Sequence, residues 1–193
     1  MDYDWGMINA LDQLLDQRLG HGRYHLTKAE ALTALGVSAT AFNAAAARLV
    51  RQRRLARPKQ GFFVILRPED RVGGGPDPAR WIDPLMRHIG VDYRVSLLRA
   101  AAFHGSSHQA AQVFQAIVPR QLRPVAIERQ RVEFVYQAAD AFAAVNQQPW
   151  LDQLKTDAGF AKVAGVELLL LDAVRYFHQS AGLNGAAQIV HDL

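Results

Sequence analysis

Two short helix-forming stretches separated by about three residues constrain this chain more than any other feature. Thr27 followed by Glu30 has the pattern of a capping box and opens a helix through Leu35. Gly36 supplies the turn, and Ser38 is a good N-cap for a following helix over roughly 39–54. So short a connection suits a helix-turn-helix rather than an antiparallel pair in a bundle. Ahead of it, Met7, Ile8, Leu11, Leu14, Leu15 and Leu19 recur at helical spacing until Gly20, predicting a first amphipathic helix over 7–19.

The third helix places Phe42, Ala45, Ala46, Leu49 and Val50 on one face, the spacing of a buried stripe. Its opposite face carries Thr40, Ala41, Asn43, Ala44, Ala47, Arg48 and Arg51. Small side chains allow close approach to a major groove, where Asn43 suits an adenine edge and alanines suit thymine methyl groups. Beyond Leu55, Arg57-Pro58-Lys59-Gln60-Gly61 is turn chemistry leading into the apolar run Phe62 to Leu66, a predicted β-hairpin with cations at its tip.

Charge follows the same pattern. Between Glu30 and Glu69 there is no acidic residue, yet Arg48, Arg51, Arg53, Arg54, Arg57, Lys59 and Arg67 all fall there. Residues 1–68 hold 10 basic and 5 acidic residues, whereas 69–193 hold 12 and 13. An uncompensated positive field on a winged helix-turn-helix attracts double-stranded DNA. The expected contacts are Ser38, Thr40, Ala41, Asn43 and Ala44 at the reading edge, and Arg48, Arg51 and Arg54 toward phosphates. Arg57, Lys59 and Gln60 are expected at the wing tip. The competing reading is an alanine-rich helix with a solvated basic face and an ordinary hairpin. Aromatic residues in the region (Phe42, Phe62, Phe63) suit a core better than a base-stacking platform, which favours duplex over single strands.

The stretch 71–79, with three consecutive glycines and two prolines, reads as a flexible linker between a DNA-binding domain over 1–70 and a second domain over 80–193. The second domain begins with a helix carrying Trp81, Ile82, Leu85, Met86 and Ile89, then another over 95–104. Strands follow at 112–118, 125–127 and 132–136, with a further hairpin at Asp157-Ala158-Gly159. A helix over 167–177 and a last helix after Gly185 complete it. That order predicts an α+β fold with a small, mostly antiparallel or mixed sheet and C-terminal helices.

The second domain resembles the AbiEi family, the antitoxins of bacterial abortive-infection systems. The resemblance rests on Tyr93-Arg94-Val95-Ser96-Leu97-Leu98 through His104-Gly105, on His108-Gln109, and on the strand Gln112 to Pro119. It continues in Val166-Glu167-Leu168-Leu169-Leu170-Leu171-Asp172 and in Leu183-Asn184. Leu169 stands where the family often has threonine, and Ala181 replaces the first glycine of a Gly-Gly-Leu-Asn turn. The chain stops at Leu193, where longer relatives continue with further helices. The resemblance implies a cytoplasmic type IV antitoxin that represses its own operon through inverted repeats. It also implies action against a nucleotidyltransferase-like toxin without a tight complex. A ligand-responsive winged-helix repressor and a metal-dependent nuclease are the alternatives.

Other chemistry finds little support. His104 and His108 have the i, i+4 spacing of zinc ligands, but Gly105 ends the helix between them and no glutamate follows His104. A restriction-type acid and E-x-K set is missing around Glu128 and Glu133. Glu167 and Asp172 lie about 140° apart around a helix. Gly73-Gly74-Gly75 is not followed by the G-K-[ST] of a phosphate loop. No cofactor, metal or catalytic residue is expected. The absence of cysteine, an acidic N-terminus where a signal peptide is basic, and a longest aliphatic run, Leu168 to Leu171, far too short to cross a bilayer point to a soluble intracellular protein.

Overall fold

The computed structural model describes residues 2–106 and 113–193. Its first unit comprises α1 (Asp2–Gly20), β1 (His25–Thr27), α2 (Lys28–Leu35), α3 (Ala39–Arg51), β2 (Leu55–Lys59) and β3 (Phe62–Ile65). Local chemistry sets the helix ends. Thr27 Oγ1 accepts the Glu30 N–H at 3.2 Å, and Glu30 accepts the Thr27 N–H at 2.8 Å, so the capping box closes. Gly36 ends α2 in the left-handed region (φ 63°), where a side chain would be strained. Helix α3 ends at Arg51 rather than 54, because Arg53 takes a positive φ of 56° and turns the chain into β2.

The strands pair antiparallel in the order β1-β3-β2. Strand β1 has no sequence signature, since three residues are too few for an alternating pattern to register. Strand β3 is buried on both faces. Phe63 and Ile65 join Leu11, Leu15, Leu26, Phe42 and Leu49 in the core of the helix-turn-helix. Phe62, Val64 and the following Leu66 instead pack with Trp81, Ile82, Leu85 and Met86. The second unit thus covers the sheet face that an antiparallel sheet commonly leaves to water.

That unit contains α4 (Pro68–Gly73), a 3-10 turn (Pro78–Arg80), α5 (Ile82–Ile89), β4 (Arg94–Val95), α6 (Leu97–Phe103) and β5 (Val113–Val118). Then come β6 (Val125–Ile127), β7 (Gln130–Tyr136), α7 (Ala139–Val145), β8 (Leu151–Thr156) and β9 (Gly159–Ala164). Helix α8 (Val166–Arg175), a 3-10 turn (Phe177–Gln179) and α9 (Gly182–Asp192) follow. The sheet order is β6-β7-β5-β4-β9-β8, with β5–β7 and β4–β9 parallel and the other pairs antiparallel. This is the α+β class with a mixed sheet that the order of elements predicts.

The flexible linker expected over 71–79 is not what the structure contains. Pro68 starts α4, and Asp70 accepts the Arg67 N–H at 3.0 Å to cap it. Gly74 and Gly75 have φ of 88° and 109°, and a Cβ on Gly75 would lie 2.6 Å from the Ile127 carbonyl oxygen. These glycines admit a close approach between chain segments, and the Arg129 N–H bonds the Gly74 carbonyl at 2.8 Å. Two further differences concern helices. Helix α9 begins at Gly182 instead of after Gly185, where a Cβ would collide with the Ser180 carbonyl oxygen. Helix α7 escapes a periodicity reading because it is short and largely alanine.

The units are fastened at several points. Tyr24 donates its hydroxyl to Asp157 in the β8–β9 turn at 3.0 Å, beneath the guanidinium groups of Arg67 and Arg80. Arg80 Nε bonds Asp157 at 2.9 Å. Among the described residues, no helix is long and apolar enough to cross a membrane.

Candidate nucleic-acid interface

Ser38 Oγ accepts the Ala41 N–H at 3.2 Å, fixing the start of α3 on the surface. From there Thr40, Asn43, Ala44, Ala47 and Arg51 are exposed, and Ala41 is half-buried. The hairpin strand β2 runs beside this helix with Arg57 and Lys59 exposed, and Gln60 is exposed in the turn. Between helix and hairpin lies a groove of about 240 Å³. Asn43, Arg51 and Arg57 line it over a floor that includes Ala47, Val50 and Phe63. Residues from the expected reading edge, phosphate set and wing therefore share one concave face. Val50, expected in the core, is 36% exposed there because the hairpin leaves that side of α3 uncovered.

The expected phosphate set divides. Arg51 stays on the surface. Arg48 is half-buried and already takes part in an interaction within the chain. Arg54 points away from the groove: its Nε bonds Asp12 at 2.8 Å and its Nη2 bonds Asp16 at 2.6 Å, both on α1. Its placement among DNA contacts is thus corrected, since the turn at Arg53 carries it past the exposed face and onto two carboxylates. Arg53 is diverted as well. Its guanidinium bonds Glu128 at 3.1 Å and the Arg71 carbonyl at 3.0 Å.

The hairpin tip is held rather than projecting alone. Gln60 keeps its side chain outward while its carbonyl accepts from His88 Nε2 at 3.0 Å, and the Lys28 N–H bonds the Gly61 carbonyl at 2.8 Å. Pro58, which has no N–H to give the ladder, sits at the irregularity between Ala56 and Lys59.

The motifs of the second unit have structural partners. Arg94, fully buried, bonds Asp172 through Nε at 2.9 Å and Nη2 at 2.8 Å, and Gln137 at 2.7 Å. Ser96 adds a hydroxyl bond to Asp172 at 2.8 Å. Two motif segments far apart in sequence therefore meet in one buried network that joins β4 to α8. Tyr93 donates to Asp83 at 3.1 Å, and burial beside that carboxylate pushes its phenol well above the ordinary range. His104 Nε2 donates to the Ala164 carbonyl at 2.8 Å, which ties the end of α6 to the end of β9. His108 and Gln109 lie outside the described residues. Ala181, where a glycine is expected, takes a left-handed φ of 61°.

Three of the four carboxylates considered for a nuclease are engaged in separate ion pairs. Glu128 pairs with Arg53, Glu133 with Arg131 and Asp172 with Arg94, while Glu167 is exposed on the first turn of α8. Among the described residues, no group of three or more His, Asp or Glu side chains is placed to hold a metal ion.

Residues 94–193 match the AbiEi antitoxin C-terminal domain. No curated protein matches the chain significantly.

Proposed function

The chain belongs to the AbiEi antitoxin family, with a toxin as its functional partner, and on that premise we propose that its winged unit binds duplex DNA and represses the operon that encodes both. The observation that carries this reading is the shared groove of α3 and the β2–β3 hairpin, lined by Asn43, Arg51 and Arg57. Asn43 reads a base edge from the N-terminal half of α3, and Arg51 and Arg57 grip phosphates on either side. Lys59 and Gln60 extend the contact from the turn. Two copies occupy an inverted repeat upstream of the gene, in the cytoplasm. The matched region, 94–193, counteracts a nucleotidyltransferase-like toxin without a tight complex. DNA recognition belongs to residues 1–70 and antitoxin action to 80–193, even though the two share packing across β3.

Fluorescence anisotropy with the upstream duplex across a salt series tests the reading. Affinity should fall with a log–log slope of roughly −0.9 per phosphate contacted. Arg51→Ala and Arg57→Ala should each flatten that slope by about 1, and Asn43→Ala should relax sequence preference. Arg54→Ala, turned toward α1, should leave the slope unchanged. The full-length Arg51→Ala/Arg57→Ala protein should still rescue cells from the adjacent toxin gene. Wild-type duplex affinity in that double variant would remove the groove from the DNA interface.

A further inference from the structure

A second cavity, of about 340 Å³, lies at the seam between the two units, apart from the DNA-facing groove. Its volume is in the range of small-ligand sites, and such sites favour junctions between structural units. Strand β1 supplies His25, the 3-10 turn supplies Arg80, and α5 supplies Asp83, Arg87 and His88. Phe160, at the start of β9, forms part of the wall and is 54% exposed.

Two properties of this lining select a ligand. Flat ring surfaces are one. His25 stacks on Phe62 at 5.7 Å with an interplanar angle of 11°, and His88 tilts over the same ring at 5.5 Å. Burial pushes the His25 imidazole below its ordinary range, so it presents a ring more than a charge. Phe160 adds an aromatic surface open to solvent. Exchangeable positive charge is the other. Arg80 is committed to Asp157 and Asp70. Arg87 bonds Asp83 Oδ2 through both Nε, at 2.8 Å, and Nη2, yet 78% of its side chain is exposed, so water screens the pair and an incoming anion can reach the guanidinium. Asp83 keeps the Tyr93 hydroxyl as a partner when Arg87 leaves.

We propose that this cavity binds a small molecule with a flat aromatic ring and an anionic group, its ring on Phe160 and its anion on Arg87. A mononucleotide and an aromatic carboxylate both have that chemistry. Arg87 exchanges the Asp83 carboxylate for the anion, forming a charge-assisted bond.

Isothermal titration calorimetry on the full chain, with AMP, CMP, salicylate and inorganic phosphate as probes, tests the site. Binding of AMP or CMP supports it and identifies the nucleotide source, whereas binding of salicylate alone supports it and identifies the carboxylate source. Phe160→Ala should weaken the bound probe about tenfold through lost stacking, and Arg87→Ala about tenfold through the lost charged bond. Both side chains are largely exposed, so neither change should disturb folding. Absence of binding by AMP, CMP and salicylate would overturn the proposal. So would phosphate binding as tightly as the ring-bearing probes, or an affinity unchanged in both variants.

Discussion

Replacing Asp172 by Asn leaves the shape of the buried network nearly intact and removes its negative charge. Asp172 receives two bonds from Arg94 and one from Ser96, all between 2.8 and 2.9 Å. The side chains of Arg94 and Asp172 are 0% and 3% exposed, so no solvent takes over when the pair is broken. An uncompensated buried guanidinium then costs about 3–5 kcal/mol. For a chain of this size each kcal/mol lowers Tm by about 2–4 °C, so the loss should be roughly 6–20 °C. Urea denaturation and thermal circular dichroism read both quantities. Arg94→Met/Asp172→Leu, which removes both charges, should be less destabilised than Asp172→Asn alone, because a buried ion pair gains little over apolar packing and Arg94 Nη1 is buried without a hydrogen-bond partner. An Asp172→Asn protein within about 1 kcal/mol of wild type would refute the argument. Because Asp172 is inaccessible, any loss of toxin rescue in this variant should track the loss of folded protein and recover at lower temperature.

Phe62→Ala empties space in the core that the second unit builds against β3, and should cost about 3–5 kcal/mol. Hydrogen exchange should then rise in both β1 and α5, since each packs a histidine ring on Phe62. The capping box gives a pH signature. Burial of Glu30 opposes its ionisation, but the Thr27 N–H, the Thr27 hydroxyl and Arg18 outweigh it and hold the carboxyl below its ordinary value. Its stabilisation is therefore present above the unfolded carboxylate pKa, about 4.3, and is lost as pH falls through the lower folded value. Glu30→Gln should be less stable at neutral pH and should lose less stability on acidification than wild type, as measured by urea midpoints between pH 7 and pH 3.

The parts of this fold written in short-range chemistry were legible in the sequence. The Thr27–Glu30 box, the left-handed Gly36, the Ser38 cap and the turn before Gly159 each depend on residues a few positions apart, and each forms where expected. What long-range packing decides was not legible. The glycines at 74 and 75 look like flexibility until the Ile127 carbonyl is seen against them. Strand β4 is two residues long and exists because β5 and β9 flank it. Within the candidate interface, Asn43, Arg51 and Arg57 emerge on one face as helical and hairpin spacing require. Arg54 does not, because a single positive φ at Arg53 ends the helical period and two carboxylates on α1 capture the side chain. An acid-free stretch in sequence is thus no measure of uncompensated charge in space.

Strand β3 sorts its side chains between two cores by parity, Phe62 and Val64 to one and Phe63 and Ile65 to the other. A shift of one residue in its pairing would exchange the two sets, so register here specifies both units simultaneously. A one-residue insertion between Gln60 and Gly61 that displaced β3 would therefore disorganise the antitoxin half of the molecule as well as the half carrying the groove. Mechanically, the strand is a shared beam. A load on the hairpin would reach the six-stranded sheet through the Phe62 and Val64 side chains that pack into the second unit's core.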